Sequence, residues 1–123
     1  MDFSLNEEQQ MIVDTTRRFV QSEIVPLEDE LDPDAGSLAP DDQDRLTTMT
    51  RSMGFYGLDI PEEYGGPGLN TTTRALMAIE MSQHRAGLYN PCYGVFGGAG
   101  LAQLYEATEA QKERWLYPTL RGE

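Results

Sequence analysis

Short amphipathic runs alternate with breaker-rich stretches along the chain, which predicts helices joined by ordered loops. Near the N-terminus, Met11, Ile12, Phe19, Val20, Ile24, Leu27 and Leu31 fall broadly on one apolar stripe. Ser4-Leu5-Asn6-Glu7 reads as the capping box that opens this helix. Pro26 lies inside the stretch and removes a backbone donor, so a kink is expected there. Asp32-Pro33-Asp34-Ala35-Gly36 should end the helix. A second helix is expected from Pro40, with Asp41, Asp42 and Asp44 near the positive end of its dipole. Leu46, Met49, Thr50 and Met53 repeat at i, i+3, i+4 and i+7, and Gly54 is placed as a C-terminal cap.

The stretch from Phe55 to Leu69 holds four glycines, Gly57, Gly65, Gly66 and Gly68, with Pro61 and Pro67, and reads as an ordered loop. A third helix is expected over about 72–84, with Ala75, Leu76, Ile79 and Met81 or Ser82 toward the core. From Asn90 to Glu106, glycines 94, 97, 98 and 100 are mixed with apolar residues. Length and the lack of turn dipeptides favour a helix; the alternative is a loop followed by a short helix from about Gly98. Thr108-Glu109-Ala110-Gln111 is a capping box for a last helix through Lys112, Trp115, Leu116 and Leu120. The expected fold is therefore all-α, an orthogonal bundle of about five helices in one domain.

Composition narrows the function classes. The 123 residues are 39% apolar and 24% charged, in keeping with a globular domain. A formal net charge of −12 repels phosphate backbones and anionic bilayers, so neither nucleic acid nor membrane insertion is expected. The apolar runs are too short for a transmembrane helix, and the N-terminus lacks the pattern of a secretory signal. Cys92 is the one cysteine and has no internal disulfide partner, which fits a reducing cytoplasm. One histidine and one cysteine also argue against a metal cluster.

Three spaced segments carry a resemblance. The first is Phe3-Ser4-Leu5-Asn6-Glu7-Glu8-Gln9-Gln10 with Arg18-Phe19 and Val25-Pro26-Leu27 downstream. The second runs from Gly54-Phe55-Tyr56-Gly57-Leu58 into Ile60-Pro61-Glu62-Glu63-Tyr64-Gly65-Gly66-Pro67-Gly68-Leu69, the most specific piece. The third is Thr108-Glu109-Ala110-Gln111-Lys112-Glu113-Arg114-Trp115-Leu116-Tyr117-Pro118 with Gly122-Glu123. In this order they resemble the N-terminal domain of acyl-CoA dehydrogenases. That resemblance implies α,β-desaturation of an acyl-CoA thioester, with FAD held mainly by a middle domain and a neighbouring subunit. The general base would lie in a C-terminal domain. It also implies a homo- or hetero-oligomer that passes electrons to an electron-transfer flavoprotein or similar acceptor. Neither the base nor a flavin-contact motif can be matched to residues 1–123, so this chain alone is expected to be inactive. Acyl-CoA oxidases, flavin monooxygenases and non-catalytic subunits share the fold, and a free-standing helical interaction module is the alternative from another class.

By register from the resemblance, Asn90, Tyr93, Gly94, Gly97 and Gly98 fall near positions facing the acyl chain. Missing side-chain volume there suits a long or ring-bearing acyl group; the alternative is that these glycines admit close packing. Glu62 and Glu63 are adjacent in a loop and read as structural, with Tyr64 as the anchor. His84, beside Arg85, is expected at a helix C-terminus against the dipole. Cys92 is read as a small buried hydrophobe, and Tyr56, Tyr105 and Trp115 as core or interdomain packing.

Overall fold

The structure is a computed structural model that describes residues 4–85, 91–92, 94–97 and 101–121. Among these residues all regular structure is helical, as the pattern predicts. Helix α1 (Glu7–Phe19) opens two residues later than expected. Asn6, not Ser4, is the cap: its side chain accepts from the Gln9 amide at 2.8 Å, and the Gln9 side chain accepts from the Asn6 amide at 3.2 Å. This reciprocal pair satisfies two donors that a helix start leaves free.

The expected kink at Pro26 takes the form of a widened turn. A π segment, Val20–Ile24, runs into α2 (Val25–Asp29), and the Val25 amide bonds the carbonyl of Val20 five residues back. The C-terminal helix repeats the device: α6 (Glu109–Gln111), a π segment (Lys112–Leu116) and α7 (Tyr117–Arg121), with the Tyr117 amide on the Lys112 carbonyl. Pro118, like Pro26, is the second residue after its π segment. A proline ring collides with the carbonyl four residues back, and the extra residue in the preceding turn makes room without ending the helix.

Helix α3 (Pro40–Ser52) begins and ends as its sequence predicts. The Gly54 amide bonds the Arg51 carbonyl and the Phe55 amide the Thr50 carbonyl, with Gly54 at φ +73° and Phe55 buried beyond it. That pairing is the Schellman stop, which needs a left-handed residue. Leu46 and Thr50 are fully buried, whereas Met53 is partly exposed.

Helix α4 (Thr71–Met81) is capped by Asn70, whose side chain accepts from the Thr73 amide at 2.9 Å. It is shorter than the expected 72–84 span, and its buried face is shifted: Leu76 and Met81 are half-buried, with Met81 against the core as expected. Thr73, Met77 and Glu80 point inward, while Ala75 and Ile79 are exposed. The shift follows from α1, which packs along α4 and offers Arg17 as a partner for Glu80. Met11, placed on the apolar stripe of α1, is likewise 63% exposed, and Val13, Thr16 and Phe19 form the buried row instead.

The core gathers Phe19, Val20, Ile24, Leu38, Leu46, Phe55, Met77, Cys92 and Val95. Phe96 meets Phe19 edge to face, with ring centroids 5.8 Å apart. Residues 91–92 and 94–97 reach this core as turns, not as the favoured helix; the short α5 (Ala102–Tyr105) comes only afterwards, closer to the loop-then-helix alternative. Gly94 and Gly97 explain the difference, since both adopt left-handed backbone angles, φ +90° and +99°, that a helix cannot contain.

Candidate functional site

Of the residues predicted to face an acyl chain, Asn90, Tyr93 and Gly98 lie outside the described residues. Gly94 and Gly97 are in the turn that leads to the core. A Cβ on Gly97 would sit 2.9 Å from the Gly57 amide nitrogen and 3.1 Å from its Cα, so this glycine is where two backbones touch. The Gly57 amide bonds the Phe96 carbonyl at 2.9 Å across the same contact. Beside Gly94 the nearest atom, Gln43 Nε2, would be 3.7 Å from an added Cβ, an ordinary contact distance. Thr50 Oγ1 donates to the Val95 carbonyl at 2.6 Å and pins the turn to α3.

The loop from Phe55 to Leu69 is ordered by backbone and aromatic contacts. Glu62–Tyr64 forms one 3₁₀ turn, and Glu62 and Glu63 are exposed. Gly65 takes φ +86°, and a Cβ on Gly66 would collide with the Ile60 carbonyl oxygen. Tyr64 stacks on Tyr105 at 4.8 Å between centroids and accepts a hydrogen bond from Lys112 Nζ at 3.1 Å, which ties the loop to α5 and the C-terminal helix. Burial, then the charge of Asp59, raises the Tyr105 hydroxyl above its usual range. A shallow groove of about 360 Å³ lies between Arg51, Tyr56, Tyr64 and Leu120, with the Arg51 guanidinium 4.0 Å over the Tyr56 ring. A second, of similar size, is walled by Leu58, Asp59, Arg74, Ala75 and Ala78.

A cluster of polar and ionisable side chains around Glu28 was not legible in the sequence. His84 is past the end of α4, not on it. Its side chain is 7% exposed, and Nδ1 is 3.0 Å from Glu28 Oε1, on a side chain that is 4% exposed. The Arg85 amide donates to Glu28 Oε2 at 2.8 Å. The Arg85 guanidinium donates instead to backbone, to the Glu28 carbonyl at 2.7 Å and the Asp32 carbonyl at 3.0 Å. Cys92 is buried against the same carboxylate; burial first, then the charge and hydrogen bonding of Glu28, push its thiol up to about 12. Ligand atoms of Glu28, His84 and Cys92 all lie within 4.8 Å of one another. Residues distant in sequence meet here because α2 ends beside the segment that follows α4. The one available signal was Glu28 itself, a carboxylate at a core-facing register beside Leu27 and Leu31.

A flavin nucleotide needs a cradle of donors or cations for its diphosphate. Neither of these two grooves builds one: the groove beside Tyr56 offers a single guanidinium, already stacked on a ring, and the other has one cation, Arg74, with Asp59 in the same wall. No helix among the described residues is long and apolar enough to cross a membrane.

An orthogonal all-α domain, with a glycine-rich loop locked onto its last helix, is the class these features define. The sequence profile described as "Acyl-CoA dehydrogenase, N-terminal domain" matches residues 6–123, and the chain belongs to that family. It is 35% identical to the (R)-benzylsuccinyl-CoA dehydrogenase of Thauera aromatica, over 100% of this chain and 33% of that protein. Identity is 30% with the 3-(aryl)acrylate reductase of Clostridium sporogenes, over 95% of this chain and 30% of that one. With the (2S)-methylsuccinyl-CoA dehydrogenase of Cereibacter sphaeroides it is 32%, over 97% and 21%. The chain thus spans a third or less of the curated relatives it matches.

Proposed function

We propose that this chain is the N-terminal helical part of a flavin-dependent acyl-CoA dehydrogenase acting on a ring-bearing or otherwise bulky acyl-CoA. The observation that carries the reading is the family match over residues 6–123, with the Pro61-to-Gly66 loop and the Glu109-to-Lys112 helix start locked together by Tyr64 and Lys112. Two of the similar proteins are named for aryl-bearing substrates, which supports the ring-bearing assignment. In this reading FAD and the general base belong to domains outside residues 1–123, and reduced flavin passes its electrons to an electron-transfer flavoprotein or similar acceptor. The assembled enzyme is an oligomer working in the cytoplasm. The chain's share is one wall of the acyl pocket, with Gly94 and Gly97 in the turn bordering it, and cover for the flavin site.

Exposed large apolar side chains favour this over a free-standing module: Met11 is 63%, Ile79 57% and Trp115 46% exposed. Where such groups adjoin, they form the kind of apolar face that a neighbouring domain covers. The test uses FAD and an arylpropionyl-CoA. The chain alone is expected to leave the flavin unbound and oxidised. In a three-domain enzyme carrying this segment, Gly94→Leu is expected to shift kcat/KM away from ring-bearing acyl groups by tenfold or more. Flavin reduction by the chain alone, or an unchanged acyl profile in Gly94→Leu, defeats the respective half of the proposal.

A further inference from the structure

We infer that Glu28, His84 and Cys92 form a binding site for one divalent transition-metal ion of the zinc class. Three different Lewis bases converge here from α2 and from the segment after α4, with all ligand atoms within 4.8 Å of one another, Glu28 and Cys92 buried and the His84 side chain 7% exposed. Around a tetrahedral ion with bonds of about 2.0–2.3 Å, neighbouring ligand atoms sit about 3.3–3.8 Å apart. The observed 3.0 Å between Glu28 Oε1 and His84 Nδ1 would open by a few tenths of an ångström, and the thiol would close in by up to about 1 Å.

The shell behind the ligands is already built. Arg85 fixes Glu28 Oε2 through its amide and leaves Oε1 facing His84, as an outer-shell donor does for a coordinating carboxylate. Its guanidinium is held on two backbone carbonyls, so it braces the site without capping the carboxylate.

Charge also balances. On binding, the thiol proton is released to solvent, and the neutral imidazole ligates through the Nδ1 lone pair with its single proton on Nε2. A carboxylate, a thiolate, a neutral imidazole and a divalent cation then sum to zero, the condition that burial imposes. Thiolate and imidazole select zinc, cobalt or copper over magnesium or calcium. The fourth position takes water or a small exogenous ligand. None of this depends on flavin or on the acyl-CoA reaction, and the site stands or falls apart from that reading.

The test titrates the reduced, metal-free 123-residue chain with Co²⁺ at neutral pH. A thiolate-to-cobalt charge-transfer band saturating at one ion per chain is expected, along with loss of the band on adding Zn²⁺. Zn²⁺ raises the unfolding midpoint and Mg²⁺ does not. Cys92→Ser loses both the band and the zinc-dependent rise, and Glu28→Gln weakens cobalt binding by at least about tenfold. Zinc-edge X-ray absorption of the unmutated chain, which needs no variant to fold, finds one sulfur in the first shell. A chain with no charge-transfer band, a band that persists in Cys92→Ser, or a zinc shell without sulfur overturns the site and leaves a plain Glu28–His84 hydrogen-bonded pair.

Discussion

Two buried carboxylates hold the first helical stretch to the α4 region, and they do so in opposite ways. Glu80, on α4, is 8% exposed and takes both arms of the Arg17 guanidinium, at 2.8 and 3.0 Å. The Arg17 side chain is 47% exposed, so water still solvates half of that pair. Glu28, at 3% exposure, meets buried and half-buried partners: Cys92, His84 and the Arg85 amide. The first arrangement joins two regular helices through ordinary side-chain spacing. The second joins a helix end to a turn, and its order depends on backbone geometry. One is a surface-anchored strut; the other is a more deeply buried polar centre, where each donor matters more because water replaces it less readily.

Removing each carboxylate is the sharpest way to break the contrast. Glu28→Ala is expected to cost about 3–5 kcal/mol in urea unfolding, since it strands buried donors. Equal or smaller loss than in Glu80→Ala would erase the distinction. Gly97→Ala, in the turn behind the buried centre, should cost about 1–3 kcal/mol, because its φ of +99° is strained for alanine and the new Cβ presses on Gly57. Glu80→Ala should cost about 1–2 kcal/mol, as Arg17 can rehydrate.

A pH effect sharpens the comparison further. The Cys92 thiol is raised from 9.0 to about 12, so between those values the unfolded chain gives up a proton that the folded chain keeps. Stability is unaffected by this group below pH 9 and falls as pH rises toward 12, and Cys92→Ser should flatten part of that slope in alkaline unfolding curves. Smallest of all, Ile79→Ser on the outer face of α4 should change stability by less than about 0.5 kcal/mol; a larger loss would mean that this face is covered in the folded chain.

Helix positions were readable where local chemistry decides them. Pro40, Gly54 and the Thr108–Gln111 box act within one turn of themselves, and the structure uses each as expected. Faces were less readable. Ala75 and Ile79 look core-directed on hydropathy, yet Thr73, Met77 and Glu80 are buried, because Arg17 arrives from another helix to neutralise Glu80. The same limit applies to the glycine-rich stretch. Its apolar content suggested a helix, but Gly94 and Gly97 serve left-handed turns, and Gly97 does so where the backbone of Gly57 leaves no room for a side chain.

By itself, then, the amino-acid sequence determined the all-α class, the bounds of α3 and the start of the last helix, and membership of the acyl-CoA dehydrogenase N-terminal family, since caps, breakers and spaced motifs are local. Only the tertiary structure decided which faces are buried and that Glu28, His84 and Cys92 meet. Glu28 and His84 are 56 residues apart, and no local pattern encodes a contact that exists only once the end of α2 and the segment after α4 are packed against one core.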